Sequence, residues 1–193
     1  MNIAPINNNI GNYNNNIGFK SKLEPTPYLK ELLEKSIMDP RGQSKIVDGI
    51  RRVLNDGKND IIRLDYAGKF AKIFKTGGYK ITVNGEKKLV NYHNIGGGIT
   101  VQGRFALEEI YRDQDGNLIP CEDSSIMEEP KLAMFRKRIQ ENWKRIFDEY
   151  DYGTGDEKKI KNLHKNMEFL KNRYNLTIKQ ELIKLKNEIF KNA

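Results

Sequence analysis

Tyr79-Lys80-Ile81-Thr82-Val83-Asn84-Gly85-Glu86-Lys87-Lys88-Leu89-Val90-Asn91-Tyr92 is the stretch on which the fold class turns. Tyr79, Ile81 and Val83 alternate with Lys80 and Thr82, which is the two-residue period of a half-buried strand. Asn84-Gly85 is the favoured pair for a two-residue hairpin turn, because both central positions need positive φ. The spacing therefore predicts a hairpin joining residues 79–83 to 86–92.

The same period extends to both sides. Ile62, Leu64 and Tyr66 alternate with Arg63 and Asp65. Residues 70–75 (FAKIFK), ended by Gly77-Gly78, add another expected strand. Phe105 to Arg112 and Asn117 to Ile119 are expected to pair around Asp115-Gly116. Sequential hairpins imply an antiparallel sheet over residues 60–121, with one face covered by helices.

Helical periodicity brackets this region. Thr26 can cap a helix whose first position is Pro27, where no N–H is needed. Tyr28, Leu29, Leu32, Leu33 and Ile37 then share a face, giving a helix over 26–38. A second helix over 44–55 carries Ile46, Val47, Ile50, Val53 and Leu54. Its Lys45, Arg51 and Arg52 suggest a helix-turn-helix, but Asp48 lies on the same helix, which weakens a DNA reading. Beyond the sheet, three helices are expected at 130–151, 156–174 and 178–191. Pro130 opens the first, whose stripe is Leu132, Phe135, Ile139, Trp143, Ile146 and Tyr150. Thr154 to Glu157 (TGDE) fits a capping box for the second, and Thr177 to Gln180 (TIKQ) a cap for the third. The fold class is α+β: two N-terminal helices, a small antiparallel sheet of hairpins, and a three-helix C-terminal part packed on one sheet face.

Residues 1–22 form an Asn-rich leader in which NNNIG occurs twice, at Asn7–Gly11 and Asn14–Gly18. Asn side chains compete for backbone hydrogen bonds, and the few apolar residues are too sparse to offset chain ordering. A disordered spacer is expected, with residues 17–22 (IGFKSK) as its one docking candidate. A single domain over 23–193 follows it.

Composition bounds the function. The chain has 193 residues, 34 Lys and Arg against 26 Asp and Glu, and a formal charge of +8. That excess permits contact with polyanions and does not require it. One cysteine, Cys121, precludes an internal disulfide and a Cys-rich zinc site. Acidic neighbours Glu122 and Asp123 would raise its thiol pKa rather than activate it. A reducing, cytoplasmic setting is the default expectation, and a specialised export system that reads the polar leader is the alternative. No apolar run approaches the ~20 residues of a membrane span.

No motif assembles a catalytic site. His93 precedes Gly96-Gly97-Gly98 and is the one catalytic candidate, but no nucleophile or orienting acid stands at a useful spacing. The glycines lack the Gly-Lys-Ser/Thr of a phosphate loop, and Gly103 fits no dinucleotide fingerprint. His164 lies at the edge of a helical stripe, and two histidines without ligand spacing imply no metal. No cofactor is expected.

The unusual surface is C-terminal. At about 100° per residue, Phe169 falls opposite the stripe of Ile160, Leu163, Met167, Leu170 and Tyr174. It shares that side with Lys158, Lys165 and Arg173. Farther on, Ile183 and Phe190 form a second apolar line beside Ile178, Leu182, Leu185 and Ile189. The leading expectation is a non-enzymatic binding or adaptor module that meets a protein partner through these helices. A sequence-independent nucleic-acid binder using Lys158, Lys165, Phe169 and Arg173 is the second. A small hydrolase or transferase around His93 is the third.

Overall fold

The computed structural model describes residues 20–55, 57–75, 78–91, 99–110, 129–153 and 155–191. Its architecture is α+β, with a four-stranded mixed sheet in the order β1-β2-β3-β4. The strands are β1 (Lys22–Leu23), β2 (Ile61–Tyr66), β3 (Tyr79–Val83) and β4 (Glu86–Asn91). Among the described residues six helices accompany them: α1 (Pro27–Met38), α2 (Ser44–Leu54), α3 (Lys69–Phe74), α4 (Ile99–Glu109), α5 (Pro130–Asp151) and α6 (Glu157–Phe190).

Strand alternation places the core. Ile62, Leu64, Tyr66, Tyr79 and Ile81 are buried, whereas Ile61 and Arg63 are exposed. One sheet face is thus packed and the other wet. The packed face meets α1, α2, α4 and the C-terminal half of α6 through Leu29, Leu32, Ile46, Ile50, Leu107 and Leu182. The β3–β4 hairpin turns at Asn84 and Gly85, with φ of 51° and 84°. Both lie in the left-handed region that this turn demands.

Four local expectations give way to the structure. Residues 70–75 are not a strand. Phe70, Ile73 and Phe74 recur at i, i+3 and i+4, a helical period, and Lys69–Phe74 forms α3 between β2 and β3. The hairpin expected from Phe105 fails in its first half, because Ile99–Glu109 is α4. There Ile99, Gln102, Gly103, Ala106 and Leu107 are buried at helical spacing. The second half of that hairpin, Asp115-Gly116 to Ile119, lies outside the described residues.

The third difference is at the N-terminal boundary. The proposed leader ends at 22, yet Ser21 is buried and Lys22–Leu23 pairs in parallel with Ile61–Ile62. The amides of Lys22 and Glu24 donate to the carbonyls of Asp60 and Ile62 at 2.8 and 2.9 Å. This edge pairing spans nearly forty positions of sequence, so no local pattern announces it. The sheet is consequently mixed, with β1 parallel and the rest antiparallel.

The fourth concerns the last two expected helices, which are one. Glu157–Phe190 runs for 34 residues without interruption, about 51 Å at 1.5 Å per residue. Thr177 is not a cap: its hydroxyl donates to the carbonyl of Arg173 at 2.9 Å inside the helix. No Gly or Pro stands between 156 and 193 to force a break. The helix begins instead on Asp156, whose carboxylate accepts from the amides of Lys158 and Lys159. Thr154, proposed for that role, lies outside the described residues.

Candidate functional site

The continuity of α6 determines what its outer face presents. The C-terminal half packs into the core through Ile178, Leu182 and Leu185. The N-terminal half lies along α5, where Met167 and Leu170 are buried with Ile146. Asn142 fixes this pairing: its amide donates to the Leu163 carbonyl at 2.9 Å, and its oxygen accepts from Asn166 at 2.9 Å. Arg136 adds a bond to the Tyr174 hydroxyl at 3.2 Å.

With both inner faces occupied, a line of apolar side chains is left outside. Phe169, Leu176 and Ile183 are 57%, 44% and 40% exposed. They stand seven residues apart, and Phe190 is the next member. Seven residues fall about 20° short of two full turns, so the row winds slowly around the helix. By Phe190 it has drifted back toward the body. That ring is half-buried and packs against the core. From Phe169 to Phe190 the row is about 31 Å long.

The structure therefore unites Phe169 and Ile183, which a divided helix would have placed on separate elements. Phe190 belongs to the same line but is largely engaged by the fold. Leu176 is the member that sequence reasoning missed. Its seven-residue spacing from Phe169 and Ile183 forms one line only when residues 175–177 are helical.

The surroundings of the row are basic. Lys158, Lys165, Arg173 and Lys179 are exposed and project within about 40° of it. The four acids of α6, Glu157, Glu168, Glu181 and Glu188, lie at least about 100° away around the helix. The Arg173 guanidinium is 5.5 Å from the Phe169 ring centroid, a cation–π contact that holds the ring at the surface. Asn162, Asn172, Gln180 and Asn187 complete the face, so it offers donors, positive charge and a narrow apolar ridge.

A second exposed group lies on α5. The expected stripe is wider than α6 covers: Leu132 and Ile146 are buried, but Trp143 and Tyr150 are exposed. Phe147, which sequence reasoning did not single out, stacks on Trp143 at 5.7 Å, and the Lys171 ammonium lies 5.4 Å from the Trp143 ring.

His93, the three glycines after it and Cys121 lie outside the described residues. His164 is exposed on α6. Gly103 is explained by packing, since a Cβ there would stand 2.2 Å from Leu32 Cδ1. Among the described residues no group of three or more His, Cys, Asp or Glu is placed to hold a metal ion, and no helix is long and apolar enough to cross a membrane. Compared with protein-family models, with curated proteins and with solved structures, the chain matches none.

Proposed function

We propose that the protein is a non-enzymatic binding module whose α6 receives an acidic amphipathic helix of a partner protein. The observation that carries this reading is the uncovered row of Phe169, Leu176 and Ile183 at seven-residue spacing. A repeat of seven is the spacing at which one helix keeps a seam facing another. A ridge one residue wide suits insertion between the side chains of a neighbouring helix better than it suits a broad apolar pocket.

Charge selects the partner. A second copy of this chain would bring a basic strip against a basic strip, which like-charge repulsion opposes. A helix with glutamates or aspartates beside its apolar seam meets Lys158, Lys165, Arg173 and Lys179 with the opposite sign. Nucleic acid is the second reading, favoured by Arg173 on Phe169 and by the exposed Lys158, Lys165 and Lys179 beside the row. It leaves Leu176 and Ile183 without a role, because aliphatic side chains neither stack on bases nor contact phosphates.

The test is a synthetic helix with leucines at seven-residue spacing and flanking glutamates, titrated against the full chain. Wild-type protein should bind it, Leu176→Asp and Ile183→Asp should not, and its glutamine counterpart should bind weakly. Equal binding by wild type and both variants would sink the reading. Retardation of single-stranded nucleic acid that is lost in Phe169→Ala but kept in Ile183→Asp would favour the second.

A further inference from the structure

α3 exposes its apolar side. Phe70, Ile73 and Phe74 are 79%, 67% and 65% exposed, on a helix of only six residues. The two phenyl rings lie parallel, with centroids 6.4 Å apart and planes 3° from each other. Only Ala71 of this helix is buried. Such a cluster is not the normal scatter of single surface hydrophobics, and contiguous exposed apolar groups mark an interaction surface.

The charges on the helix and at its end are all basic. Lys69 and Lys72 are exposed within the helix, and Lys75 follows it. The facing acids are engaged. Glu31 of α1 accepts from Lys75, and Asp65 of β2 accepts from Arg63 at 3.0 Å. Burial pushes the Glu31 carboxyl up, but hydrogen bonds from Lys75 and Tyr66 outweigh it and hold the group below its ordinary range. Glu31 thus remains an anion committed to Lys75, and Lys35 adds a positive charge one turn along α1. Lys75 also takes a left-handed conformation, φ 56°, and lies 5.5 Å from the Tyr66 ring. These contacts fasten the end of α3 to the body and leave the phenyl ridge standing clear.

We propose that α3 is a contact point for an anionic lipid surface, with Phe70, Ile73 and Phe74 entering the headgroup boundary and Lys69 and Lys72 meeting lipid phosphates and carboxylates. Phe70, Ile73 and Phe74 stand out from the surface, each at least 65% exposed. A fluid bilayer accepts such a shape without a preformed cavity, whereas a protein partner needs a groove cut to it. Lysine stems are apolar enough to lie beside the rings while their ammonium groups reach the headgroups. The chain's charge of +8 adds long-range attraction to an anionic leaflet. Neither α6 nor its proposed partner enters this inference.

The experiment is sedimentation of the full chain with vesicles of phosphatidylcholine alone or containing about a third phosphatidylserine. Wild type should pellet with the anionic vesicles, less at high salt, and hardly with the neutral ones. Phe70→Ser with Phe74→Ser should weaken the binding about tenfold or more with an unchanged circular dichroism melt. Lys69→Gln with Lys72→Gln should weaken it about fivefold for each charge removed. Ile183→Asp, on α6, should pellet as wild type does. Failure of wild type to bind anionic vesicles overturns the proposal. So does binding that survives the phenylalanine changes, or capture of a protein on this ridge by a chain that leaves the vesicles unbound.

Discussion

The Arg51 guanidinium of α2 donates to the Glu181 carboxylate of α6 at 2.8 Å, and this ion pair fastens the side of α6 turned away from the exposed row, next to Leu182 in the chain. Glu181 is 2% exposed and also accepts from Lys184. Burial pushes its carboxyl up, and the hydrogen bonds from Lys184 and Arg51 outweigh that, so the group is held below its ordinary 4.5. A folded-state pKa below the unfolded one means that the unfolded chain takes up the proton first as pH falls. The stabilisation is therefore complete above about pH 4.5 and is lost as pH drops through the folded value. Glu181→Gln should cost about 1–3 kcal/mol near neutrality, and its deficit against wild type should shrink in acid. Urea titrations of both proteins at the two conditions check this. A deficit that does not change with pH would show that the carboxylate charge contributes nothing.

Leu182 and Ile183 are adjacent in sequence and opposite in environment. Leu182 is sealed in the core, and Ile183 lies in the exposed row. Leu182→Ala should destabilise by about 2–5 kcal/mol, the combined loss of transfer energy and the cavity left behind. Ile183→Ala should stay within about 0.5 kcal/mol of wild type. Thermal melts of the two variants decide the matter. Equal losses would mean that Ile183 is packed, and the α6 row would lose its last exposed member.

What the chain shows on inspection and what it hides follow from the range of the interactions. The β3–β4 hairpin was legible because Asn84-Gly85 and the alternation of Tyr79, Ile81 and Val83 act over a few residues. Thr26 and Pro27 announced α1 for the same reason, and the structure has Thr26 Oγ accepting from the Leu29 amide at 3.1 Å. β1 was hidden because Lys22 and Leu23 are strand only through partners at Ile61 and Ile62. α3 and α4 were misassigned where aromatic and β-branched residues, which suit strands, recur at helical spacing. In the candidate site, Phe169 and Ile183 stood out by their angle around a helix. Leu176 did not, because a Thr followed three residues later by Gln imitates a cap, whereas in the structure the helix runs through it and Ile178 and Leu182 are packed in the core.

Gly103 illustrates a residue whose role is geometric. It lies in α4 where that helix crosses α1, and a Cβ there would meet Leu32 Cδ1 at 2.2 Å and Cδ2 at 2.5 Å. Gly103→Ala should cost about 1–3 kcal/mol by overpacking, despite the higher helix propensity of alanine. Leu32→Ala removes the clashing atoms, so the double variant should lose less than the sum of the two single losses. A double-mutant cycle by chemical denaturation measures the coupling. Strict additivity would place the effect of the alanine away from Leu32.

The continuity of α6 is the property on which the row depends, and Asn175 tests it. If residues 175–177 were a connection between two helices, a proline there would be tolerated. In an unbroken helix Asn175→Pro removes an internal hydrogen bond and drives its ring into the preceding turn, at about 3 kcal/mol or more. Because Ile178, Leu182 and Leu185 anchor the C-terminal half in the core, the damage should appear in the half along α5. Amide exchange from Leu163 to Tyr174 should accelerate, while exchange from Ile178 to Leu185 should change less. In wild type the amides of Tyr174 to Lys179 should exchange as slowly as those on either side, since each lies inside the same hydrogen-bonded ladder. Fast exchange at these positions would divide Phe169 from Ile183 and leave two short apolar patches, too small to seat a partner helix.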